Sequence, residues 1–171
     1  MFESRKTVIA AICTAMCVIL PMCFHFMENA GIVLSPMHIP VLLCGLICGS
    51  QYGLLCGLLG PLLSCILTGM PLPVRLPGMM VELAIYGLTA GFLMKKVHTK
   101  SLYKKLYFSL IIAMLVGRIA GGIINGLVLM ADNYSFAIWF SGYFVTCAPG
   151  IILQLLLIPS IVYALVKAEI I

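Results

Sequence analysis

The chain has 171 residues, of which 63% are hydrophobic and only 9% charged, and its mean hydropathy is +1.20. That composition excludes a soluble domain and describes an integral membrane protein. The net charge of +5 is no nucleic-acid signature, because Lys and Arg sit at the ends of apolar runs and mark topology instead.

The first span is expected over residues 7–27, after Arg5 and Lys6. The apolar run is too long for a signal-peptide core and lacks a clear small-x-small cleavage site. Ala11 and Ala15 lie four apart on one face, a small-residue stripe that permits close approach by another helix. The polar-tinged loop ENAGIVLSP (Glu28–Pro36) follows, with Asn29 and Ser35.

Residues 38–69 are apolar, with Gln51 the one strongly polar side chain. Arg5/Lys6 and the cluster Lys95, Lys96, Lys100, Lys104, Lys105 should both be cytoplasmic, so an even number of spans must separate them. The stretch therefore reads as a hairpin, with spans at 38–49 and 53–68 and the break at Gly49–Gly53. Gly45, Gly49, Gly53 and Gly57 recur every four residues, as a tightly packed hairpin would want. Thr68–Pro77 is a proline-stiffened outer loop carrying Arg75.

The fourth span, 78–94, places Glu82, Tyr86 and Thr89 on one face, and Glu82 is the one acid well inside an apolar run. The fifth, 106–130, has one charge, Arg118, near its middle, with Asn125 on the same face and Gly117, Gly121, Gly122 and Gly126 leaving surface open. A charge at that depth costs at least about 2.5–3.5 kcal/mol. A partner charge, a water-filled cavity or an anionic ligand must offset it. Counted along the helices, Glu82 lies about 7 Å from its outer end and Arg118 about 18 Å, so the two could pair only by reaching toward each other. The last span, 136–166, is interrupted by Pro149-Gly150 and Pro159; Trp139 and Tyr143 suit an interfacial belt or a stacking platform, and Gln154 lies at a depth comparable with Arg118.

The expected fold is an all-α membrane bundle of six transmembrane helices in one domain, with both termini cytoplasmic. Eight of the ten Lys and Arg then lie inside. Nucleotide-binding, hydrolase and metalloprotease motifs are missing from the sequence, and Glu82 with Arg118 is too sparse a set for a proton relay. The eight cysteines include no CxxC pair and read as core packers rather than metal ligands. An enzyme, a cofactor and a metal site are not expected.

Several segments resemble the substrate-specific (S) components of energy-coupling factor (ECF) vitamin transporters: Ala11-x-x-x-Ala15, SPMHIPVLLCGLICGSQYG (Ser35–Gly53), GLLGPLLS (Gly57–Ser64), LVGRIAGG (Leu115–Gly122) and PGIILQLLLIPSIVYAL (Pro149–Leu165). The last four are similar to the pantothenate-type branch. The resemblance implies a membrane subunit that captures a water-soluble vitamin or related micronutrient, with a separate transmembrane coupling (T) protein and two cytoplasmic ATPases supplying energy. It places the coupling-protein contact at Ala11 and Ala15. It places the substrate pocket in the outer half, at Asn29, His38, Glu82, Tyr86, Arg118, Asn125, Trp139 and Gln154. An arginine suits a carboxylate, which makes pantothenate the first candidate. The implied location is the bacterial plasma membrane. The competing reading is a small autonomous secondary transporter or channel with Arg118 in its conduction path; a membrane enzyme using Glu82 as acid or base comes third.

Overall fold

The computed structural model describes residues 2–23, 30–99, 101–129 and 135–168. These form helices α1 (Phe2–Cys23), α2 (Ala30–Leu34), α3 (His38–Cys48), α4 (Ser50–Thr68), α5 (Leu76–Lys96), α6 (Leu102–Ile124, continued by a π-helical turn Asn125–Leu129), α7 (Phe136–Phe140, continued by a π-helical turn Ser141–Thr146) and α8 (Ala148–Lys167). Among the described residues there is no strand.

Five helices are long and apolar enough to cross a membrane: α1, α4, α5, α6 and α8. The segments His38–Cys48 and Phe136–Thr146 are shorter and apolar. At ~1.5 Å per residue, α3 covers only about half of a ~30 Å hydrocarbon core. The stretch 136–166, read as one interrupted span, is two helices meeting at Cys147, just ahead of Pro149. Large apolar side chains such as Ile66, Leu67, Phe92, Ile119 and Leu156 lie on the outside of the bundle, where hydrocarbon is the solvent.

The chain reverses between α3 and α4 at Gly49, whose φ of +99° and ψ of 177° suit a residue without a Cβ. Gly45 and Gly53, four residues either side of the turn, come together: a Cβ on Gly53 would lie 2.7 Å from Gly45 Cα. The glycine repeat does more than close this hairpin. It forms a seam with α5, in which Gly53 faces Gly87, Gly57 faces Leu83, and Gly91 faces Gly49 and Ser50, all through backbone atoms. Helix α5 is thus the hub, packed against α3 and α4 on one side and α6 on the other.

Helix α1 packs on α3 and α4 through Cys13 and Cys17, which are buried with Cys44, Cys48 and Cys56 as free thiols in the core. Its opposite side, with Val8, Ala11, Ile12, Ala15, Ile19 and Met22, is exposed.

Candidate functional site

The polar side chains predicted to matter converge on the α5–α6 seam and its surroundings. Opposing residues along this seam are Gly78 and Asn125, Glu82 and Gly121, and Tyr86 and Gly117, an antiparallel register in steps of one helical turn. The glycines are what admit the larger partners: a Cβ at Gly121 would come within 3.0 Å of Glu82 Cβ and 3.2 Å of its Oε2.

Glu82 is buried, at 6% exposure. Its Oε1 accepts a hydrogen bond from the Tyr86 hydroxyl at 2.9 Å, and His38 Nε2 of α3 stands 3.4 Å from the same oxygen. The His38 and Tyr86 rings lie 5.1 Å apart, tilted by 59°. Three elements of the sequence reading thus form one cluster, with His38 supplied by the short α3 that the Gly49 turn holds against α5.

Arg118 is 2% exposed. No ion pair links it to Glu82: the one pair involving that carboxylate is with His38. The Nε and Nη1 of Arg118 are buried with no hydrogen-bond partner. Above the guanidinium lies the Phe144 ring, its centroid 5.7 Å from Cζ, within cation–π range. Trp139 closes over Gly122, and its indole N–H donates to the Arg118 carbonyl oxygen at 3.2 Å. Asn125 donates from Nδ2 to the Tyr143 hydroxyl. The face of α6 bearing Arg118, Gly122 and Asn125 is therefore covered by the aromatic side chains of α7 and its π-helical continuation.

Gln154 of α8 is fully buried. Its Nε2 donates to the Ser35 carbonyl at 3.4 Å, while its Oε1 has no partner. The same carbonyl accepts from the His38 backbone N–H at 3.1 Å, so Gln154 stands beside the start of α3. Ser35 adopts φ +44°, a left-handed conformation that costs of order 1–3 kcal/mol in a non-glycine residue. His38 Nδ1 is likewise buried without a partner. Arg118 Nε and Nη1, His38 Nδ1 and Gln154 Oε1 are thus four unmet polar atoms supplied by three elements, α6, α3 and α8.

Of the predicted pocket residues, His38, Glu82 and Tyr86 touch one another, Trp139 touches Arg118, and Asn125 joins through Tyr143. Asn29 lies outside the described residues. Phe144, which covers the guanidinium, was not singled out from sequence; it reads there as one more apolar residue. An apolar groove of about 420 Å³, lined by Ile119, Ile123, Leu127, Phe136 and Trp139 among others, runs along the lipid-exposed side of α6. It contains none of the polar cluster, and Trp139 is the wall between them. Among the described residues no group of three or more His, Cys, Asp or Glu is placed to hold a metal ion.

The family model for the ECF transporter substrate-specific component matches residues 5–162. The chain belongs to this family. No curated protein and no solved structure matches it. S components are the substrate-binding subunits of ECF importers, a transporter family rather than an enzyme family, and they work with a T protein and ATPases. This S component is accordingly a multi-pass membrane protein of transmembrane transport.

Proposed function

We propose that this S component captures a carboxylate-bearing, water-soluble vitamin, pantothenate being the first to test, and delivers it to an importer completed by a T protein and two cytoplasmic ATPases in the bacterial plasma membrane. The observation that carries this reading is Arg118, a buried guanidinium with N–H donors unmet on more than one edge and, among the described residues, no carboxylate paired to it. A hydrogen bond to a charged group contributes roughly 1.5–3 kcal/mol, and an unmet buried charge costs at least as much. A ligand carboxylate supplies what the protein withholds. Gln154 Oε1 and His38 Nδ1 offer further polar contacts, and pantothenate carries hydroxyl and amide groups to meet them. Asn125, Trp139, Glu82 and Tyr86 complete the walls, and Asn29 is assigned to the same pocket by the family resemblance alone.

The test is a thermal-shift screen of the purified protein in detergent against a panel of vitamins and precursors. A ligand at about 100-fold its dissociation constant stabilises the native state by about 2.7 kcal/mol. The expected result is a shift with pantothenate that Arg118→Ala abolishes while leaving the unliganded melting temperature nearly unchanged. A large drop in the unliganded melting temperature would instead make the arginine a structural residue.

We assign the T-protein contact to the exposed α1 stripe of Ala11 and Ala15. Replacing both with leucine should abolish co-purification with the T protein and uptake, yet leave ligand affinity within about twofold, since the residues lie on the outer face of α1 and neighbours there are lipid. An autonomous carrier has no reason to show that split.

A further inference from the structure

The bundle interior holds a buried acid and a buried base one helical turn apart, yet they are not paired. Gly121, which faces Glu82, is three residues from Arg118 on α6, and Gly117, which faces Tyr86, precedes it directly. A buried carboxylate and guanidinium on facing helices are drawn toward each other, and an ion pair would occupy donors that a ligand anion needs. Opposing the pair, the Tyr86 hydroxyl at 2.9 Å and His38 Nε2 at 3.4 Å both engage Glu82 Oε1, so the partners of that oxygen come from α5 and α3 and not from α6.

We propose that Tyr86 and His38 are positioning residues: they hold the Glu82 carboxylate away from Arg118 and so keep the guanidinium available to an anionic ligand. The inference rests on the reading of Arg118 as the anion anchor and adds to it the reason the anchor stays free. Glu82 is then an internal competitor for the ligand's place. Releasing it closes the site, and neutralising it reopens the site. A carboxylate that merely lined the pocket would not behave this way.

Two measurements test it. The first is pantothenate affinity by titration calorimetry. Tyr86→Phe, which removes one hydroxyl, should weaken binding at least about fivefold, and Tyr86→Phe with Glu82→Gln should recover most of that loss. A double variant no better than Tyr86→Phe alone overturns the proposal, as does a Tyr86→Phe protein that binds like the parent. The second needs no ligand. Unliganded melting temperatures are compared for Glu82→Gln, Arg118→Gln and their combination, in the parent and in the Tyr86→Phe/His38→Gln background. The coupling between the two substitutions should be small in the parent, where the charges are kept apart, and clearly larger once the tethers are gone. A coupling in the parent as large as in the tether-free background overturns the proposal. If the parent does not respond to pantothenate, the substrate reading fails while the second measurement still decides the positioning role.

Discussion

The two sides of α5 are packed by different rules. Toward α4 the contact is backbone on backbone: Gly87 against Gly53, Gly91 against Gly49 and Ser50, Leu83 against Gly57. Toward α6 the glycines lie on the other helix and receive side chains, Tyr86 at Gly117 and Glu82 at Gly121. In a membrane no hydrophobic force drives helices together, so close packing has to do that work. The glycine seam makes one half of the bundle rigid. The α6 side uses the same residue type to make room for polar groups, and it is there that the Arg118 donors are left unmet. A rigid half holding up a half with open valences is the arrangement that a binding subunit needs.

The sharpest way to break this comparison is to add one methyl group to the seam. A Cβ at Gly87 would run into the Gly53 carbonyl group, and since the obstacle is backbone it cannot swing aside. Gly87→Ala should cost about 3 kcal/mol, seen as a large fall in melting temperature and loss of monodisperse protein on size-exclusion chromatography. Gly121→Ala meets the Glu82 side chain at 3.0–3.2 Å instead. It should fold, with a smaller fall in melting temperature. Equal losses at the two positions would show that the two faces are not packed differently.

On the α6 side the largest effect should come from the guanidinium itself. Removing two charge-assisted hydrogen bonds corresponds to about 3 kcal/mol, or roughly 100-fold in affinity. Arg118→Lys keeps the charge but not the planar array of donors, so its affinity should fall between those of the parent and Arg118→Ala. Measured in one titration series, that order separates a need for charge from a need for geometry.

Much of this was legible in the sequence. An arginine in the middle of an apolar run announces a functional or paired position, and Glu82, the one acid well inside an apolar run, is the obvious candidate partner. Charge placement also called for a hairpin within 38–69, and Gly49 provides its turn. What the sequence could not carry was who faces whom. The four-residue glycine repeat predicts close packing, but its partner, Gly87 and Gly91 of α5, follows only from the register between helices distant in sequence. Likewise, helical spacing puts Arg118 and Asn125 on one face yet does not say that α7 folds over that face. The π-helical turn Ser141–Thr146 and the break at Cys147 are why: they interrupt the α-helical period, so phases counted through 136–166 as one helix misplace the aromatic residues relative to Gln154.

Phe144 is the finest probe of that cover. Its ring lies 5.7 Å from Arg118 Cζ and stacks with Phe140 and edge-on with Trp139, at 5.3 and 5.4 Å. A desolvated cation–π contact contributes about 1 kcal/mol, which the arginine enjoys with or without ligand. If Phe144 served only to stabilise the empty guanidinium, Phe144→Leu would lower the unliganded melting temperature and leave affinity untouched or slightly improved. If it also orients the guanidinium for a carboxylate, the same variant should weaken binding about fivefold in addition to that small fall in the unliganded melting temperature. The second outcome is the one expected, because two edges of the guanidinium remain unmet and the ring plane, not the charge alone, fixes where those edges point.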